Sequence, residues 1–207
     1  RLYQFLREIK SINSGTKGVV CVDTSPIMEK SWAQKAGMGW IGKHTNLITQ
    51  DFGSWIFLGE ILLDIDLDYD NPFTEDLCGT CTACLDACPT NAFPEPYVLD
   101  ASKCISYLTI EHRGDLPLEM DDKLSGWIYG CDICQEVCPW NIKFSQLSTE
   151  NSFQPRENLK ERPIRQWEDL TEEEYRRLFK KSTVKRTKYA GLKRNIVSAR
   201  KSLGESL

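Results

Sequence analysis

Eight cysteines stand at spacings that few chemistries require. Cys78, Cys81, Cys84 and Cys88 with Pro89 spell C-x2-C-x2-C-x3-C-P, Cys104 stands alone, and Cys131, Cys134 and Cys138 with Pro139 spell C-x2-C-x3-C-P. In such runs three closely spaced thiolates wrap one iron-sulfur cubane, and the fourth, set off by the proline turn, crosses to a neighbouring cubane. The rule assigns Cys78, Cys81, Cys84 and Cys138 to one four-iron four-sulfur cluster and Cys88, Cys104, Cys131 and Cys134 to a second. The chemistry this predicts is one-electron transfer. Tetrahedral zinc sites also use C-x2-C pairs, but they need neither a third cysteine at that spacing nor the C-P ending twice. A disulfide framework belongs to small secreted chains rather than to one of 207 residues. Thiolate ligation calls for a reducing compartment, so cytoplasm is the expected location. The ninth cysteine, Cys21, has no spaced partner and reads as a small buried hydrophobe.

The elements that must position these thiols follow from periodicity and punctuation. Leu2, Phe5, Leu6 and Ile9 are apolar at i, i+3, i+4 and i+7, an amphipathic helix already under way in a chain that does not open on methionine. We read this as a fragment of a longer protein. Val19 to Val22 form a β-branched run that predicts a buried strand ending at Asp23. Ser25 as N-cap, Pro26 at the first helical position and Gly37 as the stop predict a helix through Met28 to Ala36. Asn46 to Thr49 and Ser54 to Ile65 continue as strands, and Asn71-Pro72 closes the region. Cysteine, proline and short loops dominate from about Leu77 to Asn141, where metal supplies organisation that a small apolar core could not. A short helix is expected within Cys104 to Arg113. Thr171 with Glu174 forms a capping box ahead of Tyr175, Leu178 and Phe179. The expected fold is α+β: a partial α/β layer over 1–72, a bacterial-ferredoxin-like two-cluster module over 73–145, and a linker with a basic helical tail over 146–207.

Charge and one misleading motif bound the partners. Residues 176–201 hold eleven of the 26 Lys and Arg and no acid, in a chain of net charge −4. One-signed runs of this kind attract nucleic-acid phosphates, or else form a solvated helix face. No apolar run approaches the eighteen or so residues of a membrane span, so no membrane partner is expected. Gly37-Met38-Gly39-Trp40-Ile41-Gly42 matches the G-x-G-x-x-G dinucleotide fingerprint, but a helix precedes it and a strand follows, the reverse of the context that places pyrophosphate on a helix N-terminus. The glycines are expected to make turns or to allow close backbone approach.

Two clusters need an acceptor, and here a resemblance supplies one. Val22-Asp23-Thr24-Ser25-Pro26 with Glu29, the block Ala33 to Asn46, Phe57-Leu58-Gly59-Glu60, Cys104 to Glu111 and Gly130 to Asn141 resemble epoxyqueuosine reductase, a cobalamin-dependent tRNA-modifying enzyme, over nearly the whole chain. The resemblance implies reduction of the epoxide of epoxyqueuosine in the tRNA anticodon loop to queuosine. It implies two 4Fe-4S clusters and cobalamin as cofactors, and an upstream segment that helps form the corrinoid site. The aspartate matching Asp23 is the implied proton donor. At the end of a buried strand its pKa would rise on desolvation under a corrin ring, or it could instead cap the following helix. Cobalamin contacts are placed loosely at Asp23, Lys43, His44, Thr45, Asn46 and Asp132. Lys43 could serve a phosphate or be solvated, His44 could be a hydrogen-bonded core histidine, and Trp40 and Trp55 could be core or base-stacking platforms. Arg113 is a further RNA or cofactor candidate. An external one-electron donor such as flavodoxin or ferredoxin is implied, and nothing demands more than a monomer. A corrinoid reductive dehalogenase and a plain electron-transfer module are the alternatives. The Asp23 block and the basic run weigh against both.

Overall fold

The computed structural model describes residues 1–154, 159 and 162–204. In chain order the regular elements are α1 (Leu2–Ile12), β1 (Gly18–Cys21), α2 (Glu29–Lys35), β2 (Trp40–Ile41), β3 (Leu47–Ile48), β4 (Glu60–Leu63), α3 (Ala83–Asp86), α4 (Ile105–Ile110), α5 (Ile133–Glu136), α6 (Pro139–Phe144), α7 (Ile164–Glu168), α8 (Glu172–Leu178) and α9 (Lys188–Ser202). Helices with two small sheets make the fold α+β. Residues 1–82 with 137–146 form one compact unit, and residues 83–136 with 147–207 form another. The boundaries fall inside both cysteine runs, so the units cut across the sequence divisions at 72 and 145. Residues 155–158, 160–161 and 205–207 of the 146–207 segment lie outside the described residues.

The first unit is built on two antiparallel ladders. Gly18 pairs with Leu63 and Cys21 with Glu60 across β1 and β4, while Trp40 pairs with Ile48 across β2 and β3. Of the strands expected over Asn46 to Thr49 and Ser54 to Ile65, regular pairing is confined to Leu47–Ile48 and Glu60–Leu63. α1 buries Leu6 and leaves Phe5 exposed. It lies so close to β1 that a Cβ on Gly18 would meet Leu6 Cδ1 at 2.5 Å. Cys21 is buried, as expected of a small hydrophobe.

α2 begins later than the proline signal suggests. Its N-cap is Met28, without a side-chain hydrogen bond, and Ser25 and Pro26 lie in bends where Ile27 N–H donates to Ser25 O at 2.8 Å. That local turn competes with helix initiation. Its end matches the expectation. Gly37 has φ +74°, its N–H donates to Gln34 O, and Met38 N–H donates to Ala33 O, the paired bonds of a Schellman stop.

The second unit is helical, and its basic segment is structural rather than an appended tail. α9 contributes Leu192, Ile196 and Ala199, each at most 1% exposed, to two apolar clusters. The first gathers Ile105, Leu108, Leu116, Met120 and Leu124. The second gathers Trp167, Leu170, Tyr175 and Phe179. α9 locks to α4 through Asn195, whose Nδ2 donates to Thr109 O at 2.7 Å and Ile128 O at 3.0 Å. α8 starts at the predicted cap, with Thr171 Oγ1 accepting from Glu174 N–H. The reciprocal half of the box is missing because the Glu174 carboxylate pairs with Arg162 at 2.8 Å.

Candidate iron-sulfur and catalytic site

In the first unit the cysteine loop is held by the glycine-rich block. Trp40 (1% exposed), Ile48 and Cys138 form a buried cluster, with Phe73, Leu77, Cys78 and Trp140 packed against it. Trp40 stacks on Phe73 at 5.6 Å and meets Trp140 edge-on at 4.8 Å. Its Nε1–H donates to Cys78 Sγ at 3.5 Å. Lys43, only 9% exposed, donates from Nζ to Gly79 O at 2.6 Å and to Cys81 O at 2.9 Å. Asp76 Oδ1 accepts from Cys78 N–H at 2.9 Å. Cys138 serves as N-cap of α6, with Pro139 in its first turn, so the C-P step sends the chain directly into a helix.

The G-x-G-x-x-G block therefore has a clear structural use. A Cβ on Gly39 would stand 2.0 Å from Ile48 O, so β2 and β3 can close only over a glycine. The turn between them uses its own polar groups. Gly42 N–H donates to Asn46 O and Thr45 N–H to Gly42 O, and Lys30 Nζ donates to Thr45 O at 2.7 Å. His44 is a core histidine, 3% exposed. Its Nδ1 accepts from Asn46 N–H at 3.2 Å, while its buried Nε2 has no partner among the described residues. Burial lowers its pKa to about 4, which keeps the ring neutral near pH 7. Of the four residues of this block assigned loosely to a corrinoid, Lys43 and His44 are thus turned inward. Thr45 and Asn46 stay partly exposed.

Asp23 stands apart from this arrangement. It is exposed rather than buried at a strand end, and its φ of +48° places it in the left-handed region. Its N–H donates to Glu29 Oε1 at 2.8 Å, so the first turn of α2 holds the Asp23 loop by a carboxylate. This replaces the helix-capping alternative, because α2 has no side-chain cap. Glu60, opposite Cys21 on β4, has a buried Oε2 without a partner among the described residues. Burial, then the Glu29 charge, pushes its carboxyl up. Glu29 and Glu60 enter the sequence analysis only through the resemblance and without a chemical role, since their proximity depends on strand pairing and helix position.

In the second unit one cavity is lined by Cys88, Cys104, Cys131 and Cys134 together with Pro89, Ala92, Phe93, Ile105 and Ile133. Four thiols on one apolar wall fit a cubane. Burial raises the Cys131 thiol to about 11 and, with neighbouring thiols adding to it, the Cys134 thiol to about 12. Bound iron supplies the positive charge that favours thiolate there. Ala92 N–H donates to Cys88 Sγ at 3.3 Å. Asp132, half-buried between two of these cysteines, is pushed up by burial, and its Oδ1 accepts from Gln135 Nε2 at 3.4 Å. Cys84 lies in α3 of this unit, whereas Cys78, Cys81 and Cys138 belong to the other.

These sites define a two-cluster iron-sulfur protein. Residues 77–141 match the family described as a 4Fe-4S double cluster binding domain. An epoxyqueuosine reductase of Cellulophaga algicola is 54% identical over 179 residues, covering 86% of this chain and 58% of that relative. A selenomethionine-labelled epoxyqueuosine reductase crystal structure superposes with TM-score 0.90 at 30% identity, over 99% of this chain and 54% of that one. A second structure, of epoxyqueuosine reductase with an epoxyqueuosine-modified tRNA-Tyr stem loop, gives TM-score 0.85 at 30% identity, over 98% of this chain and 52% of that one. The chain belongs to the epoxyqueuosine reductase family over the part that it spans, somewhat more than half the length of these relatives.

Proposed function

We propose that this chain is the cluster-bearing and acid-bearing part of an enzyme that reduces the epoxide of epoxyqueuosine in a tRNA anticodon loop to queuosine. The observation that carries the reading is the pair of cysteine sites, joined in one chain to an exposed Asp23 on a loop braced by Glu29. Net conversion consumes two electrons and two protons, breaks the epoxide carbon-oxygen bonds and releases water. The first ligand set is Cys78, Cys81, Cys84 and Cys138, and the second is Cys88, Cys104, Cys131 and Cys134. An external one-electron donor such as flavodoxin or ferredoxin loads them.

Cobalamin, when bound, supplies the low-valent metal chemistry that opens the epoxide. Asp23 donates a proton to the departing oxygen, the general-acid role of a carboxyl whose loop is held in place by Glu29. Thr45, Asn46 and, in the second unit, Asp132 remain candidates for corrinoid contact. The exposed apolar side chains Val22, Met28 and Trp32, which flank Asp23 in sequence, are suited to a flat hydrophobic ring. The two-cluster part fits its cofactor through the four-thiol cavity. The corrinoid part rests on this apolar margin and the family.

The basic segment is the proposed tRNA contact, in revised form. Arg194 donates to the carbonyls of Leu108 and His112, and Arg200 pairs with Glu168. Arg186 pairs with Glu111 at 2.5 Å, and Arg113 Nη2 donates to Arg186 O. Those cations build the fold. Arg177, Lys180, Lys181, Lys185 and Lys188 are exposed and offer the surface for phosphate. No helix among the described residues is long and apolar enough to cross a membrane, and the cytoplasmic monomer is part of the same proposal.

Anaerobic protein loaded with both cofactors is expected to convert epoxyqueuosine tRNA, with Asp23→Asn losing turnover while keeping iron and cobalt. Unchanged turnover would assign Asp23 to structure alone. Neutralising Lys180, Lys181 and Lys185 together should flatten the salt dependence of tRNA binding, by about 0.7–0.9 in log-log slope for each phosphate no longer neutralised. An unaltered slope removes this surface from the interface.

A further inference from the structure

The geometry points to Lys43 and Trp40 as positioning residues of the first cysteine loop, which hold the Cys78–Cys81 turn and raise the reduction potential of the cluster bound there without acting on the cluster held by Cys88, Cys104, Cys131 and Cys134. This rests on the two-cluster reading and adds to it an electrical difference between the sites.

A lysine that is 9% exposed must give its N–H groups partners, and Lys43 gives them to backbone oxygens of the loop, Gly79 O and Cys81 O. These bonds go to neutral carbonyls rather than to a carboxylate, so they orient the ammonium without cancelling its charge. The engaged carbonyls share peptides with the Thr80 and Thr82 N–H groups, which the same pull makes stronger donors. Adding an electron makes a cluster more negative. A fixed cation against its loop, in an interior of low dielectric, therefore stabilises the reduced form. Trp40 acts in the same direction, because its N–H on Cys78 Sγ withdraws charge from a ligating sulfur, one of the levers that set cluster potential.

The second site has a backbone donor of its own, Ala92 N–H on Cys88 Sγ, and no lysine among the described residues that line it. Its wall is apolar apart from the thiols and Thr90, and the carboxylate-bearing Asp132 adjoins Cys131 in sequence. Each site has an N–H donor on a ligating sulfur and an acid close to a cysteine, Asp76 at the first and Asp132 at the second, and the Lys43 ammonium and Trp40 indole act on the first. Gly79 and Gly39 keep the construction possible. The former has φ +51° with open space around it, and the latter lets β2 approach β3 closely enough to seat Trp40.

The test is a potentiometric titration of both clusters by electron paramagnetic resonance, on the full chain reconstituted with iron and sulfide. Three variants, Lys43→Met, Lys43→Arg and Trp40→Phe, are compared with the native protein. Lys43→Met is expected to shift the reduction equilibrium of one cluster at least tenfold toward the oxidised form, ~59 mV for one electron, leaving the other unmoved. Lys43→Arg should keep the native potential, and Trp40→Phe should move the same signal in the same direction. The signal that moves should be the one lost in Cys81→Ala. If Lys43→Met assembles only one cluster while Lys43→Arg assembles both, the clamp is supported and the potential is read in Lys43→Gln, where a native value overturns the tuning. Equal shifts of both clusters, or none at full iron content, overturn the proposal. Native protein with markedly fewer than about eight irons overturns the two-cluster reading instead.

Discussion

The two units acquire an interior in opposite ways. The second surrounds α9 with two clusters of aliphatic and aromatic side chains, and its cysteine cavity borders the first of them through Ile105 and Cys131. In the first, the one apolar cluster found among the described residues includes Cys138 and draws in Cys78. A residue that would bind metal is therefore a buried member of the apolar cluster in one unit, Cys138, and a neighbour of a larger cluster in the other, Cys131. A unit with little apolar surface to bury borrows cohesion from its metal, so ligand and core residues become the same residues. That is also why a buried cation can be tolerated at Lys43, where the loop it clamps supplies the carbonyls.

The largest expected break in this comparison comes from removing iron. Chelation should release the backbone amides of residues 40–49 and 73–82 to hydrogen exchange while α9 amides stay protected. Equal loss in both units would mean that the helical core also depends on its cluster. Large-to-small changes sharpen the same contrast. Trp40→Ala should cost about 3–5 kcal/mol and lower bound iron, whereas Ile196→Ala should cost about 2–5 kcal/mol with iron content unchanged. Denaturant unfolding with iron analysis separates them.

A pH effect of similar or smaller size is confined to the first unit. Because burial holds His44 near 4 in the folded state against about 6.5 when unfolded, the unfolded chain binds the extra proton between those values. Stability is therefore full above about pH 6.5 and declines as pH falls toward about 4, by on the order of 3 kcal/mol in total. His44→Asn should flatten that slope in unfolding measured from pH 5 to 7, and an unchanged slope would place the titration elsewhere. The smallest expected effect lies in the second unit. Asn195→Ala strands the carbonyls of Thr109 and Ile128 and should cost about 1–3 kcal/mol, read as a lower unfolding midpoint with native cluster potentials.

What could be read from the chain alone were the local relations. Cluster ligation is written in spacings of two and three residues, a cap such as Thr171 serves an N–H three residues on, and Gly37 ends α2 through bonds within one turn. The same locality explains the error at Ser25 and Pro26, where a bend won over helix initiation within a few residues. Charge was legible as a sum but not as a distribution. The run 176–201 looked uniform, yet Arg194, Arg200 and Lys201 find partners some 32 to 86 residues away, leaving only part of the run for a phosphate backbone.

Sequence by itself determined the cofactor class and the family, because both reside in residue types at short separation. Tertiary structure alone decided that Lys43 faces a cysteine loop rather than a phosphate, that Glu29 braces Asp23, and that one pair of glycine-flanked strands closes over the thiols. Each of those depends on which distant segments share an interior, and an ammonium or carboxylate acquires its role from the groups that surround it once water has been excluded.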